Sequence, residues 1–512
     1  MKFLRKLKTT ALITEKNDSI SKKENEYISQ VCEATGWSRK KAEKEMSIAK
    51  EQIGISYKDY CENDFYTMTR SQQEREANFL HRKQKRDAVI LKKLCKTTGM
   101  NSKAILADID RLNQMEIYPV NLISYRRYGL YELDEESLKK QLVLMAEIKK
   151  QTPRLRRELV NVDRGKLTYK DIEGDVFAYT ELLTSAITPY LKRSLIANLR
   201  RSHPEIVEDE ANHDRLVADV QFSRILLHFP VQDYKMYHLY ASDLAGKREY
   251  VGDYVGKRII NRINTQELYD LVNNKYNLYQ RIPSFFKRDM VSIVSKTDFP
   301  VFADYVKKHP SFVCKPLNDA LGRGVSLETV DLKGNLQKQF NALLKDRRTF
   351  LMEERITCHK SIAAFNPDSL NTVRLIVYYD GEKTTPVGSF FRTGRVGSFV
   401  DNGGAGGVFA SVDYVNGVLN SCGADENGRL YAEHPDSHIR YEGFQIPDWE
   451  NALRIGSDAI RAIGFPCIVG WDLAYNEDGE WVIVEGNGFP QFLHQSPLGH
   501  GVKSQFRKDL GI

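Results

Sequence analysis

The sequence predicts an α+β fold in its C-terminal half, preceded by a largely α-helical N-terminal region. Three observations carry this. The first 260 residues show charged, glycine-poor helical patterns. After Ser311 glycines become frequent and short β-rich runs appear. Helical patterns over Gly334–Lys345 and Asp448–Ala462 lie between those runs, as mixed catalytic folds require.

The N-terminal region is built on a repeat. Ser38 is placed to cap a helix that sets Ala42, Met46, Ala49 and Ile53 on one face, and Gly54 stops it. A second such helix starts at Asn101 and carries Ile105, Ile109 and Leu112. Cys32-x-x-Thr35-Gly36 recurs as Cys95-x-x-Thr98-Gly99. A tyrosine signature follows each helix: Tyr60-x4-Phe65-Tyr66, then Tyr125-x4-Leu130-Tyr131. A third, Tyr234-x4-Leu239-Tyr240, follows an amphipathic stretch with Leu216, Val217 and Val220. Repeated units usually bury their faces against one another, so the aromatic positions read first as core and second as a binding surface. The expected domains are a helical region over 1–150 with two repeats, a connecting region over 151–260 with the third, and an α+β domain over 261–512.

The strands expected in that domain are Phe312–Cys314, Thr349–Met352, Val373–Tyr379, Val387–Phe391, Val408–Val412, Val469–Tyr475 and Trp481–Val484.

Composition narrows the function classes. The chain has 512 residues and 41% hydrophobic residues, enough for real cores. Lys plus Arg number 75 against 68 Asp plus Glu, a net +7 that suits an anionic partner and does not call for nucleic acid. Seven scattered cysteines without C-x-x-C spacing read as reduced thiols in a cytoplasmic protein. The start lacks an apolar signal core, and no stretch approaches the ~18 apolar residues of a membrane span. Met1–Lys8 reads as a solvated basic tail before an anionic-membrane contact.

The residues able to carry chemistry lie in the second half. Trp471–Ala474 and Trp481–Asn487 form a hairpin around a turn at Asn476–Gly479, which brings Asp472 beside Glu485. Asn487, two residues on, shares a strand face with Glu485. Two carboxylates and an amide make an all-oxygen site, which hard cations such as Mg²⁺ prefer. Alone, the group describes a charged hairpin rim equally well. Upstream, Lys315 ends a short strand and a loop with Gly322 and Gly324 follows; together they can hold phosphates. The run Phe350–Met352 enters Glu353, Glu354 and Ile356, where backbone and carboxylate can meet an adenine edge. Arg374 and Arg392 sit at strand ends and can clamp a transferring phosphoryl group. Asn402 precedes four glycines in the five positions from Gly403 to Gly407, where a backbone can approach a ligand closely.

In this order the motifs resemble the ATP-grasp enzymes, and most closely the sugar-transfer-associated, alpha-L-glutamate-ligase-related family. The strings NTVRLIVY, FRTGRVGSFVDNGGAGGV, EHPDSHIRYEGFQIPDWE and GWDLAYNEDGEWVIVEGNGFPQFLHQSPLGHGVK carry the resemblance, over roughly Leu268 to Gly511. It implies two α+β subdomains clasping ATP. It further implies Lys275 and Lys315 as the ATP lysines, and Glu353, Glu354 and Ile356 as the adenine hinge. Arg374 and Arg392 would sit near the γ-phosphate and acyl group, Asn402 in the asparagine–glycine segment, and Asp472, Glu485 and Asn487 on Mg²⁺, with Mn²⁺ as an alternative. Two positions depart from the pattern: Asn371 stands where glutamate ligases carry an acidic residue, and His359 and Lys360 occupy the place of a ribose-binding carboxylate.

The resemblance implies a carboxylate–amine ligase that works through an acyl phosphate. Its partners would be a small-molecule or glycan carboxylate and an amine, with polysaccharide-assembly proteins as further partners. A kinase on the same fold and a nucleotide-switched scaffold are the rival readings, and nucleic-acid binding is the least supported.

Overall fold

The computed structural model describes residues 24–317, 324–398 and 406–511. The basic tail, Gly322 and Asn402 lie outside the described residues. By its internal contacts the chain divides into two units, Met1–Val143 and Leu144–Ile512. That division falls inside the helix Glu135–Asp163. Among the described residues no helix is long and apolar enough to cross a membrane.

The first unit holds two copies of one motif. The helix Arg39–Ile53 starts after Ser38 and ends at Gly54 in the left-handed conformation. It buries Ala42, Met46 and Ala49. The helix Ser102–Gln114 is capped by the Asn101 side chain, which accepts from the Ala104 N–H, and buries Ile105, Ile109 and Leu112. Both Cys-x-x-Thr-Gly strings are helix ends. Gly36 and Gly99 N–H groups donate to the Cys32 and Cys95 carbonyls, while Thr35 and Thr98 hydroxyls donate back to Val31 and Leu94 carbonyls.

Each tyrosine signature is a short helix followed by a 3₁₀ turn: Tyr57–Glu62 with Phe65–Thr67, and Leu122–Tyr128 with Leu130–Glu132. In the second unit Val231–Met236 with Leu239–Ala241 repeats the pattern. The residue between helix and turn has positive φ in all three: Asp64 at 51°, Gly129 at 59° and His238 at 50°. Tyr60, Phe65, Tyr125, Leu130, Tyr234 and Leu239 are buried. Tyr125 donates to Asp108 and Tyr234 to Asp219, each on the preceding helix, at 2.7 and 2.6 Å. These positions are core.

The second unit continues into two antiparallel sheets. The smaller has the order β1-β4-β2-β3, with β1 Met290–Ile293, β2 Ser311–Lys315, β3 Ser326–Thr329 and β4 Phe350–Glu353. Alternation sends Phe312, Cys314, Phe350 and Met352 into a core with the helices Phe299–Lys308 and Leu336–Arg347. Lys315, Leu351 and Glu353 therefore occupy the other face.

The larger sheet has the order β11-β10-β5-β6-β7-β8-β9. Its strands are β5 Thr372–Tyr379, β6 Thr384–Thr393, β7 Val408–Val412, β8 Leu419–Ala424, β9 Leu430–Tyr431, β10 Cys467–Tyr475 and β11 Trp481–Asn487. Val373, Leu375, Val469, Trp471, Leu473 and Ile483 pack in one core with the helix Trp449–Ile463. Arg374 and Asp472 alternate to the opposite face. All seven expected strands form. Strands β1, β3, β8 and β9 are additional; they are short, and none shows a long apolar run.

Asn264 locks the edge of β10 to the segment after β11. Its amide donates to the Ile468 and Gly488 carbonyls and accepts from the Ile468 N–H. Replacing it by Ala orphans buried backbone groups, so Asn264→Ala is expected to cost about 2–4 kcal/mol, read as a lower urea midpoint at unchanged slope.

Candidate functional site

The site is laid out by register. Asp472 on β10 lies directly opposite Arg374 on β5 and Glu485 on β11. Thr372 on β5 lies opposite Arg392 on β6. Strict alternation from Trp481 and Ile483 would turn Glu485 into the core. The pairing instead jumps from Leu473↔Ile483 to Asp472↔Glu485, leaving Val484 as an extra residue. This bulge moves Glu485, and Asn487 after it, onto the face that carries Asp472. Gly470 completes the arrangement, because a Cβ there would stand 2.9 Å from Arg374 Cδ.

Asp472 is 2% exposed and is held by two guanidinium groups. Arg374 donates to both of its oxygens, at 2.9 Å to Oδ2, and Arg392 reaches Oδ2 at 2.9 Å. Arg392 also donates to Thr372 Oγ1 at 2.8 Å. Burial alone would raise the Asp472 pKa; Arg374 and Arg392, with a hydrogen bond from the side of Glu485, hold it down to about 2. Lys275 Nζ lies 3.6 Å from Glu485 Oε2, and Asn487 Nδ2 lies 3.5 Å from Glu485 Oε1. The carboxylates and cations thus alternate along one row.

A second charged group sits on the smaller sheet. Glu353 is 2% exposed, with Lys315 Nζ 2.9 Å from Oε1 and Arg288 2.9 Å from Oε2. Burial pushes its pKa up, and Lys315 and Arg288 reverse that, leaving it below the ordinary value. Arg288 also donates to the Ile483 carbonyl at 2.6 Å and the Val484 carbonyl at 3.1 Å. One buried guanidinium therefore joins the end of β4 to the bulge that positions Glu485. Sequence reasoning missed Arg288. It stands alone in a charged tripeptide, Lys287–Asp289, where nothing marks it from a surface arginine.

The profile of the sugar-transfer associated ATP-grasp family matches residues 254–508. Through this segment the chain belongs to that family. No curated protein sequence matches the chain. Solved structures similar to it include N5-carboxyaminoimidazole synthase from Aspergillus clavatus in complex with ADP and 5-aminoimidazole ribonucleotide, at 11% identity and a TM-score of 0.29 over 50% of this chain and 58% of that one. The VanG D-Ala:D-Ser ligase from Enterococcus faecalis is similar at 12% identity and a TM-score of 0.31, over 47% of this chain and 61% of that one. The ATP-grasp ligase PsnB complexed with a minimal precursor is similar at 11% identity and a TM-score of 0.29, over 49% and 63%. This chain covers about three fifths of the length of each.

Within the ATP-grasp domain the remaining expected residues are placed as follows. Lys275 opens the helix Lys275–Arg281, and its N–H donates to the Leu317 carbonyl just beyond β2, so both lysines border the same loop. Gly324, at φ 69°, closes that loop, its carbonyl fixed by Arg347 at 2.9 Å. Glu353 ends β4 between Lys315 and Arg288, and Glu354 follows just beyond the strand. The Glu354 carboxylate accepts from the Asp289 N–H at 3.3 Å and lies 3.9 Å from His309 Nδ1. Ile356 is half-buried in the segment that follows. Asn371 is fully buried, its amide donating to the Ile362 and Asn366 carbonyls. An acid there would lose both bonds, which accounts for the departure from the family pattern. His359 accepts from the Ser361 N–H and caps the helix Lys360–Ala363.

Because the folded-state pKa of Asp472 is depressed, its contribution is present above the unfolded value of about 3.9 and is lost as pH falls toward about 2. In urea denaturation, the stability gap between the native chain and Asp472→Asn is expected to shrink by about 2 kcal/mol across that window. A gap independent of pH would contradict the ion-paired assignment.

Proposed function

We propose that this protein is an ATP-dependent carboxylate–amine ligase that works through an acyl phosphate. The observation that carries the reading is the row Lys275–Glu485–Asp472–Arg374/Arg392, coupled through Arg288 to Lys315 and Glu353. It combines oxygen donors for a cation with ammonium and guanidinium groups for phosphate oxygens, and family membership of residues 254–508 supports it.

In the first step a substrate carboxylate oxygen attacks the γ-phosphorus of ATP. The bond from the γ-phosphorus to the bridging oxygen breaks, and ADP leaves. In the second step an amine attacks the acyl carbon, the carbon–oxygen bond to phosphate breaks, and the nitrogen gives up its proton. Lys275 and Lys315 neutralise phosphate oxygens on the ATP side. Arg374 and Arg392 face the transferring phosphoryl and stabilise the charge spread over its oxygens. Backbone groups after Glu353, through Ile356, meet the adenine edge, since the Glu353 carboxylate is already enclosed by Arg288 and Lys315. Gly322 and Gly324 are assigned a phosphate-binding role, and Asn402 a role toward the acyl group.

The donor set fits a hard divalent cation. Two carboxylates stand directly opposite each other in the sheet, and Asn487 adds an amide oxygen on the same face. Asp472, Glu485 and Asn487 would hold Mg²⁺ or Mn²⁺, which supplies Lewis-acid stabilisation of phosphate charge when bound. The acid is taken to be a uronic or amino acid on a cell-surface polysaccharide or its precursor, and the chain to act in the cytoplasm.

The test is an ADP-release screen with Mg-ATP that pairs glycan acids with amines. Release that requires both partners supports the ligase. Release with a stable phosphate ester and no need for an amine identifies a kinase instead. Lys315→Ala is expected to raise the KM for ATP at least about tenfold, and Glu485→Ala to lower kcat about 10²–10³-fold. Turnover intact in both variants would remove the assignment.

A further inference from the structure

A cavity lies away from the row of charged residues described above. It encloses about 380 Å³, within the usual range for small-molecule sites. Arg156 and Arg164 reach it from the neighbourhood of the helix Glu135–Asp163, and Arg248 from the helix Leu244–Glu249. Arg258 and Arg262 come from the helix Asp253–Ile260 and the turn after it. Lys503 and Arg507 come from the helix Lys503–Asp509. Asp163 is the one carboxylate among the described lining residues. It is already shared by Arg248 and by Lys503, whose Nζ lies 3.7 Å away. The nearby Glu249 is bound to the Ser504 N–H and does not line the cavity.

Such a concentration of like charge opposes folding unless an anion balances it. Its effect is visible at His228, where burial, with Arg156 and Arg258, pushes the imidazole down to about 4. The rest of the wall is apolar or aromatic. The His228 ring stacks on Tyr254 at 3.8 Å between centroids, Tyr254 is 42% exposed, and Leu227, Phe229 and Val255 adjoin them. Six of the seven cations are arginines, whose planar forks match phosphate oxygens in pairs. A single carboxylate could engage only a fraction of them, and the exposed part of the Tyr254 ring, backed by His228 and with Arg258 5.8 Å from its centroid, offers an apolar surface beside them.

We propose that this cavity is a second ligand site, separate from the ATP-grasp cleft, for a diphosphate joined to an uncharged ring-bearing body, of which a nucleoside diphosphate is the simplest case. The diphosphate lies among the arginines, and the ring rests against Tyr254 and the apolar wall. The site draws on both ends of the second unit. The helix Lys503–Asp509 follows β11 through a segment pinned at Gln495, whose side chain binds the N–H and carbonyl of Val251 at 2.8 and 3.2 Å.

The experiment is calorimetric titration of the full chain and of its Lys315→Ala variant with UDP and with inorganic pyrophosphate. UDP is expected to bind at one site per chain, and equally well to Lys315→Ala. The double variant Arg258→Gln/Arg507→Gln changes two exposed side chains, and should weaken UDP at least about tenfold. Tyr254→Ala should weaken UDP and leave pyrophosphate unchanged. Any of four results would overturn the proposal: neither probe binds, Lys315→Ala abolishes UDP binding, the arginine variant binds UDP undiminished, or a single-stranded RNA oligomer binds while UDP does not. Pyrophosphate binding as tightly as UDP would overturn the ring-bearing part.

Discussion

The guanidinium of Arg288 is the constraint on which the site depends. It is 8% exposed and spreads its donors over Glu353 and over the carbonyls of Phe286, Ile483 and Val484. Val484 is the residue that the β10–β11 pairing skips, and its skipped position turns Glu485 and Asn487 away from the core. A buried arginine is tolerable only when its donors and charge are matched, and Glu353 supplies the charge. One side chain thus ties the end of β4 to the bulge in β11 that directs Glu485.

Around that centre, charge is organised by alternation. Asp472 lies between guanidinium groups, Glu485 beside an ammonium group, and Glu353 between one of each. The buried carboxylates of Asp472 and Glu353 would be costly alone, and their cationic partners hold both below the ordinary carboxylate range. An anionic ligand entering the row meets cations already oriented by carboxylates, so little reorganisation is left for the moment of reaction.

Much of this was legible in the sequence. The hairpin that brings Asp472 near Glu485 followed from two β-like runs around a turn at Asn476–Gly479, and the helix end at Gly54 from its glycine. The tyrosine signatures announced themselves as repeats. Their shared left-handed residue did not, because Asp64, Gly129 and His238 have nothing in common as letters. The bulge was equally hidden. Period-two reasoning from Trp481 gives the wrong face for Glu485, and only the long-range contact from Arg288 shows where the count slips. The different partners of Glu353 and Glu354 were hidden as well, since Arg288, Asp289 and His309 approach them from other elements. What the sequence concealed was set by contacts between residues 65 to nearly 200 positions apart.

The clasp between Gln495 and Val251 spans 244 positions. Beside it Gly501 crosses the backbone so closely that a Cβ would lie 2.0 Å from the Glu249 carbonyl carbon. On a ribosome moving at about 5–20 residues per second, roughly 12–50 s separate the emergence of these partners. For that interval the Val251 backbone and the Met236 carbonyl wait without the Gln495 and Ser496 side chains that bind them, so this part of the fold closes only late in synthesis.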